Sequence, residues 1–183
     1  MGITQSTSNN KLNEKTKEII KQIEEWTEKR ISDILFDSDK DDWNKYTSIF
    51  GERIWNKEDI IIIIEDTNGN KFGGYVNEKI DKVESWIYDS NAFVFSLESN
   101  GRMEGMKKFD IEDTKRAFWL DNQLDNCLFV FGLDDICIYK ENKKTKSYCK
   151  QNSYEYYGIE NALCGKQHPE RFTPKRIIVV QMK

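Results

Sequence analysis

Apolar residues recur at three- and four-residue steps near the start of the chain, then give way to short continuous or alternating runs. Leu12, Ile19, Ile23, Trp26, Ile31, Ile34 and Leu35 follow the spacing of one helical face. This predicts an amphipathic helix over residues 11–35. Ser8, Asn9 or Asn10 can cap its start, and Glu25 precedes Lys29 by four residues, a favourable order. Thr16, Arg30 and Asp33 interrupt a heptad seam, so the helix is expected to fold onto the domain rather than to pair in a coiled coil. The preceding "MGITQSTSNN", residues 1–10, predicts a flexible polar tail.

After a polar break, "FDSDKDDWNKY" (36–46), with Trp43 and Tyr46 as its anchors, the pattern turns to strands. The run Ile60 to Ile64 predicts a strand covered on both faces. Asn68-Gly69 is a strong hairpin signal, so this strand should turn back into residues 71–76. "EKIDKVESWIYD" (78–89) predicts a helical turn or short helix. Further strands are predicted over 92–97, 107–111, 116–120, 127–132, 135–140 and 176–182. "GIENALCGK" (158–166) reads as a loop or one helical turn, stopped by Gly165 and Pro169. The Lys-rich "KENKKTKSY" (140–148) reads as an exposed hairpin tip. Many short strands without β-α-β alternation predict an α+β, mainly β fold: a sandwich of two antiparallel sheets with flanking short helices. Residues 36–183 would form it.

Composition supports a packed domain. Aromatics reach 13% and apolar residues 38% of 183 residues, whereas disordered chains are poor in aromatics. The net charge of −4 and pI near 5.3 argue against a general nucleic-acid binder, whose affinity comes from Lys and Arg on phosphates. The longest apolar run is too short to cross a bilayer. With no secretory signal, the expected location is the cytoplasm, with reduced thiols.

"FGGYV" places Gly73 and Gly74 in a predicted strand, where glycine weakens both entropy and packing. A large ring over one of them would explain the pair, and Trp86 is ten or so positions on. Phosphate binding would need a helix N-terminus directly after the glycines, and Tyr75-Val76 favour a strand instead.

In order and spacing, "FGERI", "DIIIIIEDTNGNKFGGYV", "WIYDSNAFVFSL", "FVFGLDDICIY" and "FTPKRIIVVQM" resemble the TLDc domain, from about Ser32 to Lys183. The specific part is Gly73-Gly74 with the Asp89, Ala92, Phe93, Phe95 motif. The form with an N-terminal helix resembles short TLDc proteins of eukaryotic protists. The resemblance implies a β-sandwich, a part in oxidative-stress protection and, in several members, binding to the vacuolar proton-pumping ATPase. It brings no established catalytic residues and no cofactor. The chain departs from the family pattern twice. A glycine-rich stretch is reduced to Gly132 before Leu133-Asp134-Asp135, and the last strand has Val179-Val180-Gln181 where many members carry an acid.

Candidate chemistry rests on few residues. His168 is the sole histidine and follows Cys164 by four positions, but the irregular spacing of Cys127, Cys137 and Cys149 does not make a closed zinc set. Cys127 and Cys137 fall in apolar strands and read as core residues. Cys149 and Cys164 are the redox-thiol candidates, and Lys146 and Lys150 near Cys149 would favour its thiolate. The pairs Asp41-Asp42, Glu24-Glu25 and Asp134-Asp135 read as solvated surface. "MGITQS" matches the N-myristoylation pattern with Gly2 as acceptor. One acyl chain gives only weak, reversible membrane attachment, and the mixed charges of the following helix supply no polybasic second signal. The expected function is a non-enzymatic interaction module in oxidative-stress protection or on a larger assembly. The alternative is a peroxide-handling thiol enzyme using Cys149 or Cys164.

Overall fold

The isoleucine run is covered on both faces, as its continuous pattern predicts. In the computed structural model, residues 3–141 and 146–183 are described, with side chains from Glu14 onward. The elements in order are α1 (Ile3–Thr27), β1 (Ile31–Asp37), α2 (Phe50–Ile54), β2 (Ile60–Asp66), β3 (Lys71–Val76), β4 (Trp86–Ile87), β5 (Phe93–Glu98), β6 (Lys107–Asp110), a 3-10 turn (Thr114–Arg116), β7 (Phe118–Leu120), β8 (Cys127–Phe131), β9 (Ile136–Tyr139) and β10 (Pro174–Met182). A six-stranded sheet has the order β1-β10-β2-β3-β5-β6, and a four-stranded sheet the order β4-β7-β8-β9. All their strand pairs are antiparallel.

Alternation along β2 divides the core into two layers. Ile60, Ile62 and Ile64 join Phe36, Phe72, Phe118, Phe129 and Phe131 between the sheets. Ile61 faces the other way, into a smaller layer with Tyr75, Phe93, Phe95 and Val180. Helix α1 closes that layer through Ile19, Ile23 and Trp26, and the Trp26 ring lies 5.9 Å from Phe95 and 6.2 Å from Phe93. The mainly β sandwich is therefore three layers deep: helix, large sheet, small sheet.

Several sequence expectations are corrected. The helix begins at Ile3 and ends at Thr27, not at residue 35, so residues 3–10 have helical backbone rather than forming a tail. Glu28 takes a positive φ of 57°, and Ile31–Asp37 then pairs with β10. The spacing of Ile31, Ile34 and Leu35 fits a helix, but pairing with a strand some 145 residues away decides the outcome. Residues 78–89 are irregular apart from β4. Ile80 pins that loop through backbone bonds with Asn56 and Lys57, 2.8 Å each. Trp43 is buried, but Tyr46 is 66% exposed and is not a buried anchor. The center of the Lys-rich tip, residues 142–145, and Gly2 lie outside the described residues.

Candidate functional site

The two strand glycines have separate causes. A Cβ on Gly73 would sit 1.9 Å from the Ile62 carbonyl oxygen of the neighbouring strand. One on Gly74 would sit 2.5 Å from Cε1 of Phe131, whose ring comes from the small sheet. The ring over Gly74 is thus Phe131, not Trp86. Trp86 lies in β4, on the small sheet, against Trp119. Phe93 and Phe95 fill the layer under α1.

Three carboxylates are fully buried and hold loops. Asp66 accepts from the backbone of Asn68 (2.8 Å) and Asn70 (2.9 Å) and from Asn70 Nδ2 (2.7 Å). Asp89 accepts from the backbone of Asn77 (2.6 Å), Glu78 (3.1 Å) and Asn91 (2.8 Å). Asp135 accepts from the backbone of Asn152 (2.8 Å) and Ser153 (3.0 Å) and from the Tyr156 hydroxyl (2.8 Å). Burial pushes the Asp135 carboxyl up, and those hydrogen bonds oppose the shift. The expectation that Asp134-Asp135 is solvated surface fails at Asp135, which is 0% exposed. Gly132, at φ 57°, makes room for it: a Cβ there would meet Asp135 Oδ2 at 2.3 Å. These acids are saturated by donors and serve as structural ties.

The cysteines fall into two pairs. Cys127 Sγ and Cys137 Sγ lie 4.0 Å apart on β8 and β9. The contact with Cys137, then burial, pushes the Cys127 thiol up. Cys149 and Cys164 form the other pair and are each 2% exposed. The expectation that lysine neighbours would favour a Cys149 thiolate is overturned. Lys146 and Lys150 point outward, and burial drives the Cys149 thiol well above its ordinary value. Cys164 shifts the other way. Its thiol is held below the ordinary value by a hydrogen bond from Cys149, by the Lys166 backbone and by the Arg102 charge, against burial. Arg102 binds Asn70 Oδ1 at 2.9 Å and the Leu163 carbonyl at 3.0 Å, and Gly165 leaves space for its guanidinium. Sequence reading missed Arg102 altogether, since only folding brings residues 70, 102 and 164 together. His168 is exposed and packs its ring 5.1 Å from Tyr148. Its backbone N–H donates to the Cys149 carbonyl at 2.8 Å.

Two apolar surfaces remain. Beside α1, a groove of about 340 Å³ is lined by Ile19, Ile20, Ile31, Ile34, Ile63 and Ile178. On the outer face of the small sheet, one cross-strand row runs Trp86, Trp119, Val130, Cys137, Tyr148; Val130 and Cys137 are buried within it, and the two tryptophans and Tyr148 are half-buried. At its β4 end, carboxylate oxygens of Glu84, Asp121 and Asp125 lie within 4.8 Å of one another. This is the single metal-competent grouping among the described residues, and no residue of it was singled out from the sequence. No helix among the described residues is long and apolar enough to cross a membrane.

The TLDc domain family matches residues 5–177. The chain belongs to the TLDc domain family. A comparison with curated proteins finds no match. The matched region takes in most of α1, so the similarity begins well before Ser32. TLDc domains are linked to resistance to oxidative stress, and the antiparallel sandwich here agrees with the fold the resemblance implied.

Proposed function

We propose that this TLDc chain is a non-enzymatic interaction module that protects against oxidative stress by docking on a larger assembly, the vacuolar proton-pumping ATPase being the first partner to test. The observation that carries this reading is the use of the buried acids. Asp66, Asp89 and Asp135 are each consumed by donors that hold loops in place. A general acid or base must instead face a substrate proton. The outer surfaces carry the apolar patches that recognition requires. Membrane contact would be peripheral and would come through acylation of Gly2, which the intact mass of the native protein tests. Cross-linking in cells followed by mass spectrometry tests the docking. Recovery of proton-pump subunits supports the named partner. Recovery of no stable partner overturns the module.

Cys149 and Cys164, buried in one core cluster with the Cys164 thiol held low, favour one second reading, a peroxide-handling thiol enzyme. The Cys164 thiolate would attack hydrogen peroxide, taking one oxygen as a sulfenic acid and releasing hydroxide. The Cys149 thiol would then condense with it, releasing water and leaving a disulfide. Two electrons pass from the thiols to the peroxide, and a small-molecule thiol would restore the pair. Pure wild-type protein, Cys149→Ser and Cys164→Ser are compared for peroxide consumption with glutathione present. Equal rates in all three sink the enzyme reading.

A further inference from the structure

The outer face of the small sheet brings two features side by side at its β4 end. Trp86 and Trp119 sit directly opposite each other, with ring centroids 5.1 Å apart and planes at 61°. Both are half-buried, so each keeps an open ring surface. Just before β4, Glu84 turns at a φ of 54° and donates its N–H to the Leu120 carbonyl at 2.9 Å, which sets its carboxylate beside that of Asp121. Asn122 Nδ2 then draws Glu84 and Asp125 together, at 2.6 Å to each. Val83 and Leu124, 41% and 71% exposed, border the same acids along the chain.

The charges there are unbalanced. Among the described residues, no Lys or Arg nitrogen lies within 4 Å of Glu84, Asp121 or Asp125. Lys140, buried beneath the turn, hydrogen-bonds the carbonyls of Asn122, Gln123 and Asp125 and feels the Asp121 and Asp125 charges, which leaves three carboxylates against one ammonium. Burial, then the neighbouring Asp125 charge, pushes the Asp121 carboxyl up despite hydrogen bonds from Cys127 and Trp119. A cation arriving from outside would relieve that repulsion. The far end of the same row already holds one: the Arg171 guanidinium lies 4.9 Å over the Tyr148 ring. Among the described residues, no cation lies over Trp86 or Trp119.

We propose that this face docks a basic segment of a partner protein through an arginine, its guanidinium over the Trp86–Trp119 pair and its N–H groups on Glu84, Asp121 and Asp125. A planar guanidinium offers a stacking face and two parallel donors at once, which an ammonium does not. The proposal rests on the interaction-module reading and adds the chemistry of the partner.

The test is selection of random linear heptapeptides, displayed on phage, against the purified full chain. Enrichment of Arg over the starting library is expected. So is a tenfold or greater loss of affinity for Glu84→Gln/Asp125→Asn protein, with thermal unfolding unchanged. Replacing the peptide's Arg by citrulline should cause a similar loss and does not depend on any protein variant folding. The proposal is overturned by a selection that yields no binders, by binders without Arg enrichment, or by equal binding to the double variant. It is also overturned if calcium chloride alone saturates the carboxylates and abolishes peptide binding, which would make this a divalent-cation site. If cross-linking recovers the same partner with wild type and double variant, the docking module stands and this surface assignment falls.

Discussion

The Phe131 ring rests on the backbone of Gly74, one sheet sealing against the other where any β-carbon would lie 2.5 Å from the ring. Gly74→Ala should therefore push Phe131 off its position and cost about 1–3 kcal/mol, the range for overpacking a core. Denaturant unfolding measures it as a lower midpoint with an unchanged slope. Phe131→Leu combined with Gly74→Ala should recover part of the loss, because the colliding atoms are gone. Gly73→Ala should cost more and gain nothing from Phe131→Leu, since it meets the Ile62 carbonyl, which is backbone.

Asp135→Ala would strand the Asn152 and Ser153 N–H groups and the Tyr156 hydroxyl. A buried donor left without a partner costs on the order of 1–3 kcal/mol, so a loss of roughly 3 kcal/mol in unfolding free energy is expected. Hydrogen exchange should show the 152–156 loop losing protection first. An effect below about 1 kcal/mol would mean water replaces the carboxylate there.

The legible parts of this fold are those where one short window of sequence settles burial. Ile60 to Ile64 announces a strand covered on both faces because all five residues are apolar. Asn68-Gly69 announces its turn, and Gly69 does take a positive φ, 84°. The illegible parts depend on distant chain. Ile31, Ile34 and Leu35 carry helical spacing, and β10 overrides it. Asp135 reads as an ordinary surface acid, and Asp89 only as part of a family motif, until the loops they hold are in place. Cys149 reads as an activated thiol because its neighbours are lysines, yet adjacent residues of an extended segment face opposite ways, and Cys149 faces the core. The site residues Arg102, Trp119 and Asp121 gave no signal, since their partners lie 61, 33 and 37 positions away (Leu163, Trp86 and Glu84).

Acid should weaken the fold through Asp37. Arg176 hydrogen-bonds to it at 3.0 and 2.8 Å, and this holds the Asp37 carboxyl below its ordinary 3.8. A carboxyl lowered on folding adds stability that is complete above the unfolded value and is lost as pH falls through the folded one. Unfolding midpoints taken from about pH 6 down to about pH 2 should therefore decline at the acid end. Arg176→Gln should flatten that decline. An acid limb of equal steepness in the variant would move the effect to other carboxyls.

Helix α1 should be required for a monodisperse domain. Trp26 closes the outer layer against Phe93 and Phe95, and Trp26→Ala should cost about 3 kcal/mol, at the lower end for deleting a large aromatic because Trp26 is only half-buried. Removing residues 1–27 would uncover Ile61, Phe95 and Val180 together, a contiguous apolar face of the kind that drives association. Light scattering on the truncated protein should show self-association. A truncated chain that stayed monomeric with an unchanged unfolding midpoint would separate the helix from the domain.

The two thiols of the buried pair should titrate apart. Cys164 is held low by the Cys149 hydrogen bond and the Arg102 charge, while burial holds Cys149 high. Because the thiolate is the reactive form, iodoacetamide should modify Cys164 at a lower pH than Cys149, with each site read by peptide mass spectrometry. Arg102→Gln removes a positive charge beside Cys164 and should move its alkylation profile to higher pH. Burial slows both reactions without changing their order along the pH axis. If the profiles of the two cysteines coincide in the wild type, the pair is a packing contact, and the peroxide reading loses its nucleophile.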